Sequence, residues 1–268
     1  MIRKSLSGLL LLLVVAAGAG TFWYQSIYLP PRYSPAAPEA LAALNSKAEV
    51  NVTIDDWIVM RPVQRPATVG MIFYPGGQVA PEGYAEPLRS IAAAGYLVVM
   101  VPMPLDLAVI APDRAEDVIA ALPEVGRWVI AGHSLGAAMA CRFVYKHPDA
   151  VSGLLLWDGY PPDTDDLTGL RIPVRQIYRS GADGTAPEAY RKTDHLMPAQ
   201  TERIAIAGAS HLNYGRFIAA QRFATMPADI TQASIPIEEQ HARIVAASLQ
   251  FLQRVANAGG TADVNEQH

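Results

Sequence analysis

Residues 128–143 read WVIAGHSLGAAMACRF, an apolar run that stops at Gly132 and gives way to a string of small residues. Within it, Gly132-His133-Ser134-Leu135-Gly136 fits the pattern Gly-x-Ser-x-Gly, with a predicted buried strand before it and a predicted helix after it. A turn tight enough to lift a serine hydroxyl clear of a sheet presses neighbouring backbones together, so its flanks must be glycine or nearly as small. The helix beginning at Leu135 aims free backbone N–H groups at whatever Ser134 attacks, where negative charge develops. Ser134 is therefore the candidate nucleophile, and the N–H of Leu135 the first candidate oxyanion donor.

A serine hydroxyl needs a base to take its proton. Of the six histidines, His133 lies inside the turn and reads as packing, His147 ends a helix, His195 and His241 fall on predicted helices, and His268 closes a polar tail. His211 stands apart, because AIAGASH places it in a small-residue loop just past the last predicted strand. In doubly wound sheets, chemistry gathers at the carboxyl ends of strands. The histidine in turn needs a carboxylate to hold its tautomer and stabilise the imidazolium. Asp183, in RSGADGTAP, follows a strand and lies between glycines, and the order Ser134, Asp183, His211 suits this architecture. Asp158, directly after LLLW, is the rival, whereas Asp163, Asp165 and Asp166 read as a solvated acidic turn. A second oxyanion donor is expected from Tyr74-Pro75-Gly76-Gly77, whose glycines let backbone approach substrate, and the N–H of Gly77 is the candidate.

Around this centre the chain alternates β-branched runs with helical stretches. The predicted strands are 49–53, 57–61, 68–74, 96–102, 127–131, 151–157, 174–179 and 203–207, with helices near 82–94, 114–122, 135–147, 187–196 and 236–256. The fold class this predicts is α/β, a doubly wound, mostly parallel eight-stranded sheet covered on both faces. In the last helix Ile244, Phe251, Leu252 and Val255 mark the face toward the sheet, with Glu238, Gln240 and Arg254 elsewhere. The domain occupies residues 49–257, followed by a disordered tail at 258–268.

The N-terminus carries a location signal. Arg3 and Lys4 precede an uncharged run from Leu6 to Tyr24 that closes on Phe22, Trp23 and Tyr24, long enough to span a bilayer core. Residues 1–27 are thus expected to be a membrane anchor that leaves the domain outside the cytoplasm. The alternative is a signal peptide cleaved near Ala19, within Ala17-Gly18-Ala19, giving a periplasmic or secreted protein. Residues 28–48, opening with four prolines in YLPPRYSPAAPEA, read as an extended tether. Lys and Arg (21) nearly balance Asp and Glu (25), so no basic field invites nucleic acid. One cysteine, Cys141, excludes an intrachain disulfide framework, and neither HExxH nor a Cys/His cluster appears, so no metal or organic cofactor is expected.

Taken together, GHSLG, SGADG, GASH and YPGG make residues 50–257 resemble the α/β-hydrolase superfamily, and more narrowly its small, lidless bacterial members related to dienelactone hydrolase. A serine stands here where dienelactone hydrolases proper use cysteine. The resemblance implies acyl transfer to water by a Ser-His-Asp triad, with a small-molecule ester as substrate. Serine peptidase, thioesterase and acyltransferase activities use the same residues, and a non-catalytic membrane-tethered binding module is the reading outside enzymes. Relatives often insert a helical lid after the sixth strand. The short stretch between Trp157 and Val174 leaves no room for one, which favours small or extended soluble esters over bulky lipids.

Overall fold

In the computed structural model, residues 17–21, 23, 33–64, 66–181, 183–218 and 226–258 are described. Most of the expected anchor at 1–27, and all of the expected tail at 258–268 except residue 258, lie outside them. Among the described residues no helix is long and apolar enough to cross a membrane.

Eight strands form one sheet: β1 (Val50–Ile54), β2 (Ile58–Pro62), β3 (Val69–Tyr74), β4 (Leu97–Met100), β5 (Arg127–His133), β6 (Gly153–Trp157), β7 (Val174–Ser180) and β8 (Glu202–Ala207). Their order is β1-β2-β4-β3-β5-β6-β7-β8. The β1–β2 and β2–β4 pairs are antiparallel, and every pair from β4 to β8 is parallel. Chain order reverses at β3, which has β4 on one side and β5 on the other. The crevice outside the carboxyl ends of β3 and β5 is where such sheets bind ligands. Ser134 stands there.

From residue 33 on, the α-helices among the described residues are α1 (Pro38–Ala42), α2 (Ala85–Ala93), α3 (Ala115–Ala121), α4 (Leu135–Lys146), α5 (Glu188–Thr193), α6 (Ala228–Thr231) and α7 (Ile237–Asn257). Period-two alternation along the strands splits the core. Met71, Phe73, Val129, Leu155 and Trp157 face Leu88 and Ile91 of α2 and Ile244, Phe251 and Leu252 of α7. Ile72, Ile130, Leu154 and Leu156 face Val118 of α3 and Met139, Phe143 and Val144 of α4. Burial on both faces is why the parallel strands read as unbroken apolar runs.

Three expectations change. The tether at 28–48 contains α1, begun by Pro38 at a position where a missing N–H costs nothing. Asp165 is not solvated: it is 1% exposed and takes a 2.5 Å ion pair from Arg142 of α4. Gln240, expected on the polar face of α7, is fully buried.

His241, one position on, is also buried, 3.8 Å from Glu86 of α2 and close to Arg216 and Glu238. Burial outweighs the attraction of Glu86 and lowers its pKa to about 4. An unfolded chain protonates this histidine near its ordinary value of about 6.5, so acid favours unfolding from there down to the folded-state value. The melting temperature should therefore fall as pH drops from about 6.5 to 4, and fall less steeply in His241→Gln. Equal slopes in thermal melts of the two proteins would show that His241 is not a source of the acid sensitivity.

Candidate active site

The turn after β5 is built by close approach. A Cβ on Gly132 would come within 2.5 Å of the Gly136 backbone, and one on Gly136 within 2.0 Å of the Tyr74 carbonyl oxygen at the end of β3. No larger residue fits at either position. Ser134 takes φ 54°, ψ −119°, a backbone state that L-residues rarely adopt and that persists only when its surroundings impose it. Its N–H donates to the Trp157 carbonyl (3.2 Å), tying the turn to the end of β6.

Ser134 Oγ lies 2.9 Å from His211 Nε2, and His211 Nδ1 lies 2.5 Å from Asp158 Oδ2. Asp183 does not take part. It sits three residues past the end of β7, exposed, with its carboxylate closing a local turn onto the N–H and hydroxyl of Thr185 (2.9 and 2.8 Å). Asp158 holds the place expected for it, for a topological reason: β6 adjoins β5, whereas β7 lies a further strand away. Strand spacing is about 4.8 Å, so a residue directly after β6 starts one strand closer to Ser134 than a residue after β7. The signal in the sequence is Trp157-Asp158-Gly159, a charged residue straight after a wholly apolar strand. A Cβ on Gly159 would meet Ala137 Cβ at 2.3 Å, which is why glycine follows.

Asp158 is fully buried and hydrogen-bonded on both oxygens. Oδ1 accepts from the Arg179 N–H (3.0 Å) and the Tyr190 hydroxyl (2.6 Å), while Oδ2 accepts from Arg179 Nη1 (2.5 Å) and faces His211. Burial by itself would raise its pKa. The hydrogen bond and charge of His211, then Arg179 and Tyr190, hold it well below the usual carboxylate range instead. The acid therefore stays ionised. Tyr190 shows the reverse effect, its pKa pushed well above that of a free phenol by burial and by Asp158.

Two groups position the histidine. Gln240 accepts the Ser210 N–H (3.1 Å) and donates to the Ser210 carbonyl (2.9 Å), clamping the backbone next to His211 onto α7. His133 stacks on Tyr214 and lies with its ring centroid 4.5 Å from that of His211. The Gly76 N–H donates to the Tyr84 oxygen (3.0 Å), which directs the Tyr84 hydroxyl hydrogen to His133 Nδ1 (2.7 Å). Burial, then the neighbouring His211, keeps His133 neutral. His133 thus does more than pack, because Tyr84 links it to the loop after β3. Neither Gln240 nor Tyr84 has a local motif that marks it in the sequence.

A Cβ on Gly77 would fall 2.9 Å from Leu135 Cδ2, and both residues line a cavity with Ser134 and His211. That cavity, about 430 Å³, is walled by Val79, Leu107, Leu212, Phe217, Met226 and Ile230. A second one of about 370 Å³ opens on the other side of Ser134 and His211, toward Gly159, Tyr160, Arg179 and Tyr190. The stretch between β6 and β7 holds only turns, as expected of a site without a lid there, and residues after His211 supply the apolar wall instead. His133, Asp158 and His211 also present metal-ligand atoms within 4.8 Å of one another. Their bonds to Tyr84, Arg179, Tyr190 and Ser134 already engage those groups.

Residues 70–234 match the family described as "Alpha/beta hydrolase family". No curated protein sequence matches the chain. Among solved structures, a ferulic acid esterase from Streptomyces cinnamoneus has a TM-score of 0.55 at 16% identity, over 73% of this chain and 69% of that one. A CIB-like hydrolase from Thermoplasma acidophilum has a TM-score of 0.55 at 14% identity, over 76% and 99%. A soluble variant of monoglyceride lipase from Saccharomyces cerevisiae, solved with a substrate analog, has a TM-score of 0.52 at 10% identity, over 80% and 97%. At these identities the likeness is one of fold.

The two aspartates are separable by experiment. Asp158→Asn should slow modification of Ser134 by a fluorophosphonate by roughly 10³- to 10⁴-fold, since the amide favours the wrong histidine tautomer. Asp183→Asn should leave the rate within about twofold, and a large loss there instead would restore Asp183 as the acid.

Proposed function

The chain belongs to the alpha/beta hydrolase family, and on that premise we propose that it is a serine hydrolase cleaving carboxylic esters through Ser134, His211 and Asp158. The observation that carries this reading is the unbroken hydrogen-bonded chain from Ser134 Oγ through both nitrogens of His211 to the buried carboxylate of Asp158.

The chemistry runs in two halves. Ser134 Oγ attacks the ester carbonyl while His211 Nε2 takes its proton, and Asp158 steadies the imidazolium from the Nδ1 side. Negative charge moves to the carbonyl oxygen, for which the N–H groups of Leu135 and Gly77 are the proposed donors; one such donor is worth about 10²- to 10³-fold in rate. Collapse of the adduct expels the alcohol, which takes the proton from His211 and leaves an acyl group on Ser134. Water, deprotonated by the same histidine, then releases the acid and restores the serine. Side chains and backbone donors supply every step.

The two cavities suggest how an ester is divided. The wall of Leu107, Phe217 and Met226 suits an apolar portion, and the side with Tyr160 and Arg179 suits a polar one. For location we favour an anchored protein with its domain outside the cytoplasm, on the strength of the uncharged run Leu6–Tyr24 behind Arg3 and Lys4. N-terminal sequencing that found a mature start near Gly20 would replace the anchor with a cleaved signal.

Nitrophenyl esters should be turned over by the wild type and by neither Ser134→Ala nor His211→Ala, each losing at least about 10³-fold in kcat. Faster cleavage of matched thioesters or amides would move the reading to a thioesterase or peptidase. A folded wild type that neither labels with fluorophosphonate nor cleaves any of these substrates would end the catalytic reading.

A further inference from the structure

Residues 33–37 are stitched to two loops that wall the apolar cavity. The Ser34 N–H donates to the Gln78 carbonyl (3.1 Å), and the Ala80 N–H donates to the Ser34 carbonyl (2.9 Å). On the other side the Ala37 N–H donates to the Arg216 carbonyl (3.0 Å), and the Ile218 N–H to that of Pro35 (2.9 Å). Ser34 and Ala36 are buried. Their bridge partners, Val79 and Phe217, both line the cavity. This strap joins the loop after β3 to the loop after His211, so the chain preceding residue 33 enters the domain beside two loops that wall that cavity.

What precedes it is short and then strongly apolar. Only residues 25–32 separate Tyr33 from the uncharged run that ends at Tyr24. Eight residues, two of them proline, reach at most about 29 Å when fully extended. The loops at the mouth carry exposed aliphatic side chains: Val109 and Ile110 just after Leu107, Ile218 beside the strap, and Met226 at the cavity wall. Exposed apolar groups gathered around a pocket mark a surface that meets something apolar.

We propose that the strap holds the mouth of the apolar cavity against the bilayer, and that the substrate is an ester with an apolar chain taken from that membrane. The chain enters between Leu107, Phe217 and Met226 with the ester at Ser134, while the polar remainder lies toward Tyr160 and Arg179. The proposal rests on the serine-hydrolase reading and on the anchor. It differs from the expectation of small or extended soluble esters, which rests on the short stretch between Trp157 and Val174 alone.

The test uses the full chain in phosphatidylcholine vesicles, with methylumbelliferyl decanoate dissolved in the bilayer and methylumbelliferyl acetate in solution. A variant carries forty Gly/Ser residues inserted between Ile27 and Tyr28, which keeps both anchor and strap but frees the mouth. Effective concentration falls as about the −3/2 power of tether length, so decanoate turnover should drop on the order of tenfold while acetate turnover stays level. Equal decanoate turnover in the two proteins, or a full chain that does not float with the vesicles, overturns the membrane proposal and leaves the hydrolase reading standing. Loss of both activities in the wild type overturns both.

Discussion

A carboxylate with no exposed surface cannot remain charged unless hydrogen bonds and opposite charge replace the water it has lost. Asp158 is such a group, and its replacements come from widely separated parts of the chain. Arg179 arrives from β7, Tyr190 from α5, and His211 from the loop after β8. Satisfying this one charge therefore draws the carboxyl-terminal half of the sheet into a single arrangement. The same contacts orient the imidazole toward Ser134, so solvation of the acid and alignment of the base are one structural event.

The other half of the site is set by steric contact rather than charge. Gly132 and Gly136 allow the end of β3 to press against the start of α4, with the Tyr74 carbonyl where any side chain on Gly136 would sit. That contact brings the loop holding Gly77 beside the Leu135 side chain at the start of the helix. Tyr84 then couples the two halves, accepting from Gly76 and donating to His133, whose ring lies beside that of His211. Gln240 completes the frame from α7, a buried amide whose two hydrogen bonds go to the residue before the base.

The strap alters what the tether means. Proline and small residues at 30–38 read as a passive spacer, yet Ser34–Ala37 is paired by backbone bonds to both loops that shape the apolar cavity. Backbone pairing of this kind leaves little trace in composition, because it uses N–H and C=O groups that nearly every residue carries. A spacer and a structural strand look alike until their partners are known.

The elements and the elbow were legible because their causes are local. Apolar periodicity marked all eight strands and the long helix α7, the glycines flanking Ser134 marked a turn too tight for side chains, and His211 was marked by the small-residue loop after the last strand. Asp183 misleads for an equally physical reason: a Gly-flanked aspartate after a strand describes a surface turn as well as it describes a triad acid. Choosing Asp158 required knowing that β6 lies next to β5, and recognising Gln240, Tyr84 and Asp165 as buried required knowing what packs over them. The sequence by itself determined which residue types could do the chemistry and which segments would be strands or helices, since those depend on neighbours within a few positions. The tertiary structure alone decided which carboxylate meets the base, because that depends on the order of strands across the sheet and on which buried charge can be fully paired.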